Sequence, residues 1–191
     1  MSRLPRLSPM VLAGVLLIAA GLLGGCLGVP RGAEPTTVGE GPPIGIYDSR
    51  AVAVASADYG PFGEWLGDLR ARAEEAKAAG NEERLRELEA EALAEQDKLH
   101  RQGFGTAPID DILGWIEEKL PAIREEAGVE ALVSKWDEKG LAQWPDSPRI
   151  DVTERLIDAF NPSAERREMA LSVLEHDPLP VWRLKMMDPR D

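Results

Sequence analysis

Residues 61–102, PFGEWLGDLRARAEEAKAAGNEERLRELEAEALAEQDKLHRQ, decide the fold of this chain. Apolar residues recur at spacings of three and four on both sides of Gly80-Asn81, which is the pattern of two amphipathic helices. Glycine often ends a helix and asparagine often caps the next one, so this dipeptide predicts a tight connection. The sequence therefore predicts a helical hairpin with arms of roughly 30 Å, because each helical residue adds about 1.5 Å. The narrow apolar stripe fits a coiled-coil arm or a plain pair of surface helices.

Shorter elements on both sides of the hairpin predict a small body that contains strands. Residues 44–47 alternate in apolar character and predict one strand, and residues 129–135 predict a second. A helix is predicted at 109–127, where Pro121 should kink or divide it. Another helix should begin after Asp151, whose side chain suits a helix N-terminus. The predicted fold class is therefore mostly α with a small β part (α+β), with the coiled-coil-like hairpin projecting from the body.

Two short stretches resemble the Skp/OmpH family of envelope chaperones. Residues 44–50, IGIYDSR, look like the first strand of that family and the aspartate after it, and residues 150–157, IDVTERLI, look like its signature before the last helix. Residues 128–133 fall where the family places its second strand. The resemblance covers residues 44–160 and implies a small trimeric body whose hairpins surround a client cavity. The positions that carry the family signature are Ile44, Asp48, Asp151 and Thr153.

The resemblance also implies where client proteins would bind, namely on the hairpin. The candidate client-binding residues are Trp65, Leu69 and Leu88, with core packing as the alternative interpretation of the tryptophan. This hairpin is shorter than the family's, and the chain is acidic where the best-known members are basic. Residues 161–191 have no family counterpart. We expect this C-terminal extension to form one helix capped by Ser163 and then an irregular end after residue 176.

The N-terminus has the pattern of an export signal. Two arginines precede an apolar run over residues 10–23, and this order is typical of a secretion leader. The run ends in Leu23, Gly24 and Gly25 directly before Cys26, which resembles the lipobox of bacterial lipoproteins. The resemblance implies cleavage after Gly25 and acylation of Cys26. An uncleaved membrane anchor and an ordinary signal peptide are the alternatives.

This leader sets the predicted domain organisation and location. Residues 1–25 are the predicted lipoprotein signal peptide, and residues 26–43 are a predicted flexible tether, too rich in Pro, Gly and Thr to offset the entropy of ordering. Residues 44–160 form the predicted domain. The protein is expected in the cell envelope, lipid-anchored to a membrane that faces the periplasm. Leu27 rather than aspartate follows the cysteine, which favours the outer membrane.

The composition limits the partners of this chain. Its 191 residues include 22 basic and 34 acidic side chains, for a net charge of −12, and loss of the leader would make the chain still more acidic. Nucleic acid is excluded as a partner because phosphate contacts require clustered Lys and Arg. The same charge argues against a body that lies broadly against anionic lipid. A single cysteine excludes an intrachain disulfide.

No catalytic pattern is present in the sequence. The two histidines lie far apart, and no metal-ligand spacing or phosphate-binding loop is found. Neighbouring carboxylates on a helix point about 100° apart and do not share a site. We therefore expect no enzyme activity, no cofactor and no metal site. The expected function is that of a lipid-anchored periplasmic chaperone that binds unfolded or outer-membrane proteins as a homo-oligomer, by resemblance a trimer. The alternative is a non-catalytic structural or scaffolding envelope lipoprotein.

Overall fold

The computed structural model of the chain describes residues 40–186. Within this range the protein is mostly helical and contains one small parallel sheet of three strands, in the order β2-β1-β3. The strands are β1 (Ile44–Tyr47), β2 (Leu132–Ser134) and β3 (Arg149–Asp151). The predicted α+β class is therefore confirmed. The sequence pattern predicted only the first two of these strands.

Strand β1 lies at the centre of the sheet, with β2 on one side and β3 on the other. Gly45 lies opposite Leu132 on one side and Ile150 on the other. All three strands are parallel, so their carboxyl ends meet at one edge of the sheet. The last residues of the predicted tether are already tied to this body, since the N–H of Gly41 donates to the carbonyl of Asp146 at 3.1 Å.

Helix α1 (Ser49–Ala55) follows β1 directly and is buried along its whole length. Its small side chains allow other elements to pack on every face. Val52 and Ala53 join a core cluster with the isoleucines of the segment at 109–123, whereas Ala51, Val54 and Ala55 join a second cluster. Helix α1 thus connects the two halves of the core.

The predicted helical hairpin is present, with arms α2 (Gly60–Ala78) and α3 (Glu82–Gly103). Its turn follows the expected chemistry, because Gly80 takes a positive φ of 64° and the side chain of Asn81 accepts a hydrogen bond from the N–H of Arg84 at 3.0 Å. Positive φ is the conformation in which glycine is least strained. The end of α3 lies close to α1, where a Cβ on Gly103 would meet Val54 at 3.7 Å.

The segment predicted as one divided helix is in fact three short pieces. They are α4 (Asp110–Gly114), a 3₁₀ turn at Glu117–Lys119 and α5 (Leu120–Ala127). The division precedes Pro121, which occupies the first turn of α5, where its missing N–H costs nothing. A further short helix, α6 (Glu138–Leu141), follows β2.

The C-terminal extension packs into the same core as the rest of the body. Helix α7 (Thr153–Ala159) is followed by α8 (Ala164–Ser172), which Ser163 caps as predicted. Ala170 is fully buried among α1 residues and Ile157, so the packing has no boundary at residue 160. The prediction of an irregular end was wrong for one segment, because Val181–Lys185 form a helix, α9. Pro180 stands directly before this helix, a position where proline does not disrupt it.

Replacement by alanine should have opposite effects on stability at Gly45, which is closely packed, and at Gly63, which is not. A Cβ on Gly45 would meet side-chain atoms of Leu132 at 2.9 Å, Val152 at 3.0 Å and Val129 at 3.2 Å, whereas a Cβ on Gly63 would meet nothing. We expect Gly45→Ala to lower the free energy of unfolding by about 1 kcal/mol through overpacking. Gly63→Ala should raise it by up to about 1 kcal/mol because Gly63 lies within a helix. Urea unfolding followed by circular dichroism measures both, and a stabilising Gly45→Ala would contradict this packing.

Candidate functional site

The carboxyl edge of the sheet holds a buried aspartate, Asp48. It follows β1 directly and caps α1, with its side chain accepting a hydrogen bond from the N–H of Arg50 at 3.0 Å. The residue is only 1% exposed. A buried carboxylate is costly unless charged partners and hydrogen bonds compensate it.

Side chains from two strand ends surround the Asp48 carboxylate. The Arg50 guanidinium donates from Nε to one oxygen at 3.1 Å and from a terminal nitrogen to the other at 2.8 Å. The Lys135 ammonium lies 2.7 Å from the second oxygen, and the Trp136 indole N–H donates to the first at 3.2 Å. Both cations also face the Trp136 ring, with the guanidinium carbon at 5.0 Å and the ammonium nitrogen at 4.7 Å from its centroid.

Backbone and hydroxyl contacts extend this arrangement to β3 and to the C-terminal segment. The N–H of Asp48 donates to the Thr153 hydroxyl at 3.0 Å, and the N–H of Thr153 donates to the Asp151 carboxylate at 2.8 Å. Arg50 also donates to the carbonyl of His176 at 2.9 Å. We call this set the Asp48 cluster, and its members are Asp48, Arg50, Lys135, Trp136 and Thr153.

The electrostatics of the Asp48 cluster keep the carboxylate charged at neutral pH. Burial by itself raises the pKa of Asp48, but hydrogen bonds from Arg50, Lys135 and Trp136 outweigh burial and lower the pKa from 3.8 to about 2. A carboxyl group with this pKa is ionised near neutral pH, and its pKa lies far from the value that suits proton transfer there. The arrangement therefore holds three strands and the segment at residue 176 in fixed positions, and it lacks the properties of a general acid or base.

The lowered pKa predicts how stability depends on pH. The folded state binds the Asp48 proton more weakly than the unfolded state, so the stabilisation is present above about pH 4 and is lost as the pH falls through about 2. The difference in pKa corresponds to about 2 kcal/mol. In urea unfolding at about pH 7 and about pH 2.5, the stability gap between wild type and Asp48→Asn should shrink at the lower pH. A gap that stays constant would contradict the assigned role of the carboxylate.

The structure brings three of the four family-signature residues together. Asp48, Asp151 and Thr153 meet at the carboxyl edge of the sheet, whereas Ile44 lies at the other end of β1, fully buried in the core. The cluster residues that sequence reasoning did not single out are Arg50, Lys135 and Trp136. Their position in the sequence could have indicated them. Lys135 and Trp136 directly follow β2, and the carboxyl ends of parallel strands lie at one edge of the sheet.

The candidate client-binding residues lie along the hairpin but differ in accessibility. Leu69 and Leu88 are 4% and 2% exposed, and they pack against each other's helix in an apolar seam between the arms. We call this cluster the hairpin seam, and its members are Trp65, Leu69, Ala73, Ala76, Leu85, Leu88 and Ala92. Trp65 is half-buried at its edge and stacks on Phe62, with ring centroids 5.8 Å apart. A client could reach Leu69 or Leu88 only if the arms separate.

The charged rim of the hairpin seam closes one side of the arms. Arg72 on α2 donates two hydrogen bonds to Glu91 on α3, at 2.9 and 3.1 Å, and pairs with Asp68 at 2.7 Å. A bidentate pair of this kind gives the contact a defined geometry. The seam and its rim therefore keep the arms in one register.

The remaining candidate residues lie outside the described range. Cys26 and its lipobox, Leu23 to Gly25, precede residue 40, as does most of the predicted tether. Among residues 40–186, no helix is both long enough and apolar enough to cross a membrane. In the same range, no three Asp, Glu, His or Cys side chains form a group that could hold a metal ion.

Comparisons of the chain with models of known protein families, with curated proteins and with solved structures found no match.

Proposed function

We propose that this chain is a lipid-anchored envelope protein of Skp/OmpH-like architecture that binds unfolded proteins as a periplasmic chaperone. The observation that carries the proposal is the hydrogen bond between Asp48 and Thr153. These two signature residues lie 105 positions apart and meet at the carboxyl edge of the sheet. The hairpin follows the first strand of this sheet, after helix α1. The two stretches that carry the resemblance therefore lie side by side in one body, which supports the proposal.

The hairpin supplies the surface on which a client would bind. Phe62 and Trp65 form an aromatic pair near the base of α2, and both rings are only half-buried. An unfolded segment could pack its apolar side chains on this pair, and each aromatic group buried on binding contributes about 1.5–3 kcal/mol. Charged side chains dominate the rest of both arms, so the complex would stay soluble.

The open edges of the sheet support a homo-oligomer. Strands β2 and β3 each have only β1 as a neighbour among the described residues, and Ile150 on β3 is exposed. Natural proteins usually cover or protect such edges. A second copy of the chain would cover them, as the trimeric body of the resembled family would require.

Suppression of aggregation tests the chaperone activity. A urea-unfolded outer-membrane β-barrel protein is diluted into buffer with the chain, and light scattering follows aggregation. We expect wild type to suppress aggregation and Trp65→Ala to require about tenfold more protein, which corresponds to about 1.4 kcal/mol of lost binding. The matched control is Trp144→Ala, a half-buried tryptophan outside the hairpin, which should act as wild type. Equal scattering with and without the chain would reject the chaperone proposal.

A structural envelope lipoprotein is the second candidate function. The burial of Leu69 and Leu88 favours it, because it leaves less apolar surface for clients than the sequence indicated. This candidate predicts an oligomer by multi-angle light scattering and no suppression of aggregation. A strict monomer would count against both the trimeric body and the scaffold.

The lipid anchor is tested separately from the chaperone activity. Bacteria that express the full chain are labelled with a palmitate analogue, and the label on wild type is compared with that on Cys26→Ala. We expect the label only on wild type, since the thiol of Cys26 would carry the diacylglyceryl group. Equal labelling of the two would reject acylation at this cysteine.

A further inference from the structure

The C-terminal helix α9 exposes an apolar surface that the rest of the fold does not cover. Val181 is 68% exposed, Trp182 60% and Met186 76%. On the other face of the helix, Leu184 is buried and would touch a Cβ built on Gly105 at 2.8 Å. The segment is also fastened by a hydrogen bond from the N–H of Leu179 to the carbonyl of Phe104 at 2.7 Å. The helix is therefore held on the body while its tryptophan faces outwards.

The charges on this surface differ from those of the chain as a whole. Residues 178–186 include Arg183 and Lys185 and no acidic residue, in a chain with a net charge of −12. Both side chains are exposed, and neither forms an ion pair with any residue in the range 40–186. The Arg183 guanidinium lies over the Trp182 ring at 5.6 Å from its centroid. We call this surface the C-terminal patch, and its members are Val181, Trp182, Arg183, Lys185 and Met186.

A groove continues the C-terminal patch onto the body. It has a volume of about 210 Å³ and lies between the end of α3 and α9, and Thr106 and Ala107 are among its lining residues. Its charged lining residues are Lys185 and the ion pair of Arg101 with Asp97, whose atoms lie 2.9 Å apart. The groove thus adds apolar lining from Val181 and Leu184 next to the C-terminal patch, while Asp97 balances the charge of Arg101.

We infer that the C-terminal patch docks on the surface of a phospholipid bilayer with anionic headgroups. Tryptophan is enriched at the membrane interface because its ring is apolar and its N–H remains hydrated. Lysine and arginine reach from there to the headgroups, and their charges are attracted to an anionic surface. The acidic body as a whole is repelled by such lipid, so the contact is confined to this basic segment.

This inference rests on the proposed anchor at Cys26, which brings the bilayer within reach. An extended chain covers about 3.5 Å per residue, so the segment from Cys26 to Gly41 spans up to about 50 Å. Weak binding of the C-terminal patch to the bilayer is sufficient at that distance, because the anchor raises the effective concentration of the patch at the membrane. Docking of α9 would hold the body against the membrane instead of leaving it free on its tether.

Quenching of tryptophan fluorescence by brominated phospholipids tests the docking. The full chain, purified from the membranes of an expressing bacterium, is reconstituted into vesicles that contain phosphatidylglycerol and brominated acyl chains. We expect strong quenching in wild type, loss of most of it in Trp182→Phe, and unchanged quenching in the control Trp144→Phe. Arg183→Gln combined with Lys185→Gln should also reduce quenching, as should vesicles of phosphatidylcholine alone. Because Trp182 is exposed, Trp182→Phe should keep the fold, which circular dichroism checks.

Each other outcome overturns the inference and identifies what failed. If the chain sediments with vesicles but Trp182→Phe is quenched as strongly as wild type, the docking is wrong and the anchor stands. If the chain does not sediment with vesicles, the anchor and the docking both fail, whereas the aggregation assay above still reports on chaperone activity. If Trp182→Phe changes the oligomer size without vesicles and no quenching is seen, the patch contacts a second copy of the chain.

Discussion

Replacement of Asp48 by asparagine lowers the free energy of unfolding by about 3 kcal/mol, the largest loss that we expect from a single change of charge in this chain. The substitution keeps the shape of the side chain and removes its charge. Arg50 is then left buried beside a neutral amide, and an uncompensated buried charge is costly. Lys135 is partly exposed and can turn to solvent, so the loss lies near the lower end of the range for buried pairs.

The measurement is urea unfolding at neutral pH, followed by circular dichroism. The matched control is Asp146→Asn, the same change at an exposed carboxylate, which should shift stability by less than about 0.5 kcal/mol. The double variant Asp48→Asn with Arg50→Gln should lose less than the sum of the two single losses, since the residues share one network. A loss below about 1 kcal/mol for Asp48→Asn would contradict the central position of the Asp48 cluster.

Replacement of Leu88 by alanine lowers stability by about 2–3 kcal/mol through the cavity that it leaves in the hairpin seam. Leu88 is one of the three buried apolar residues of the hairpin seam, together with Leu69 and Ala76. Its loss cannot be repaired easily, because Ala73 and Ala76 on the facing helix are too small to fill the cavity. The amides of α2 and α3 should therefore exchange with solvent faster, while those of β1 remain protected.

Hydrogen exchange followed by mass spectrometry gives this result region by region. The matched control is Leu93→Ala, the same substitution on the same helix at a half-buried position outside the seam, for which we expect about 1 kcal/mol or less. Equal effects of Leu88→Ala and Leu93→Ala would mean that the arms are not held together by this seam. Faster exchange in β1 would mean that the hairpin and the sheet unfold as one unit.

The hairpin could be predicted from sequence almost to the residue because its determinants are local. Spacing of apolar residues places the two arms, and Gly80-Asn81 supplies both the positive φ and the cap. The burial of Leu69 and Leu88 follows from how the arms face each other, which periodicity alone does not fix. Both residues were expected on the client face and lie in the seam.

The Asp48 cluster could be predicted only in part because its contacts join distant segments. Asp48 and Trp136 are 88 positions apart, and only the parallel pairing of β1 with β2 brings them together. No local pattern reports such a pairing. The C-terminal helix was missed for a similar reason, since Leu184 is held by a tertiary contact with Gly105 in a segment where proline indicated irregular structure.

The proposed function requires that the acidic helical body is exported and held on a membrane by Cys26. Mass spectrometry of the N-terminal peptide of the protein, isolated from the membranes of an expressing bacterium, tests this most directly. We predict a peptide that begins at Cys26 and carries a diacylglyceryl group on its sulfur with fatty acyl chains. A peptide that begins at Met1, with an unmodified thiol at residue 26 and recovery from the cytosol, would contradict the account.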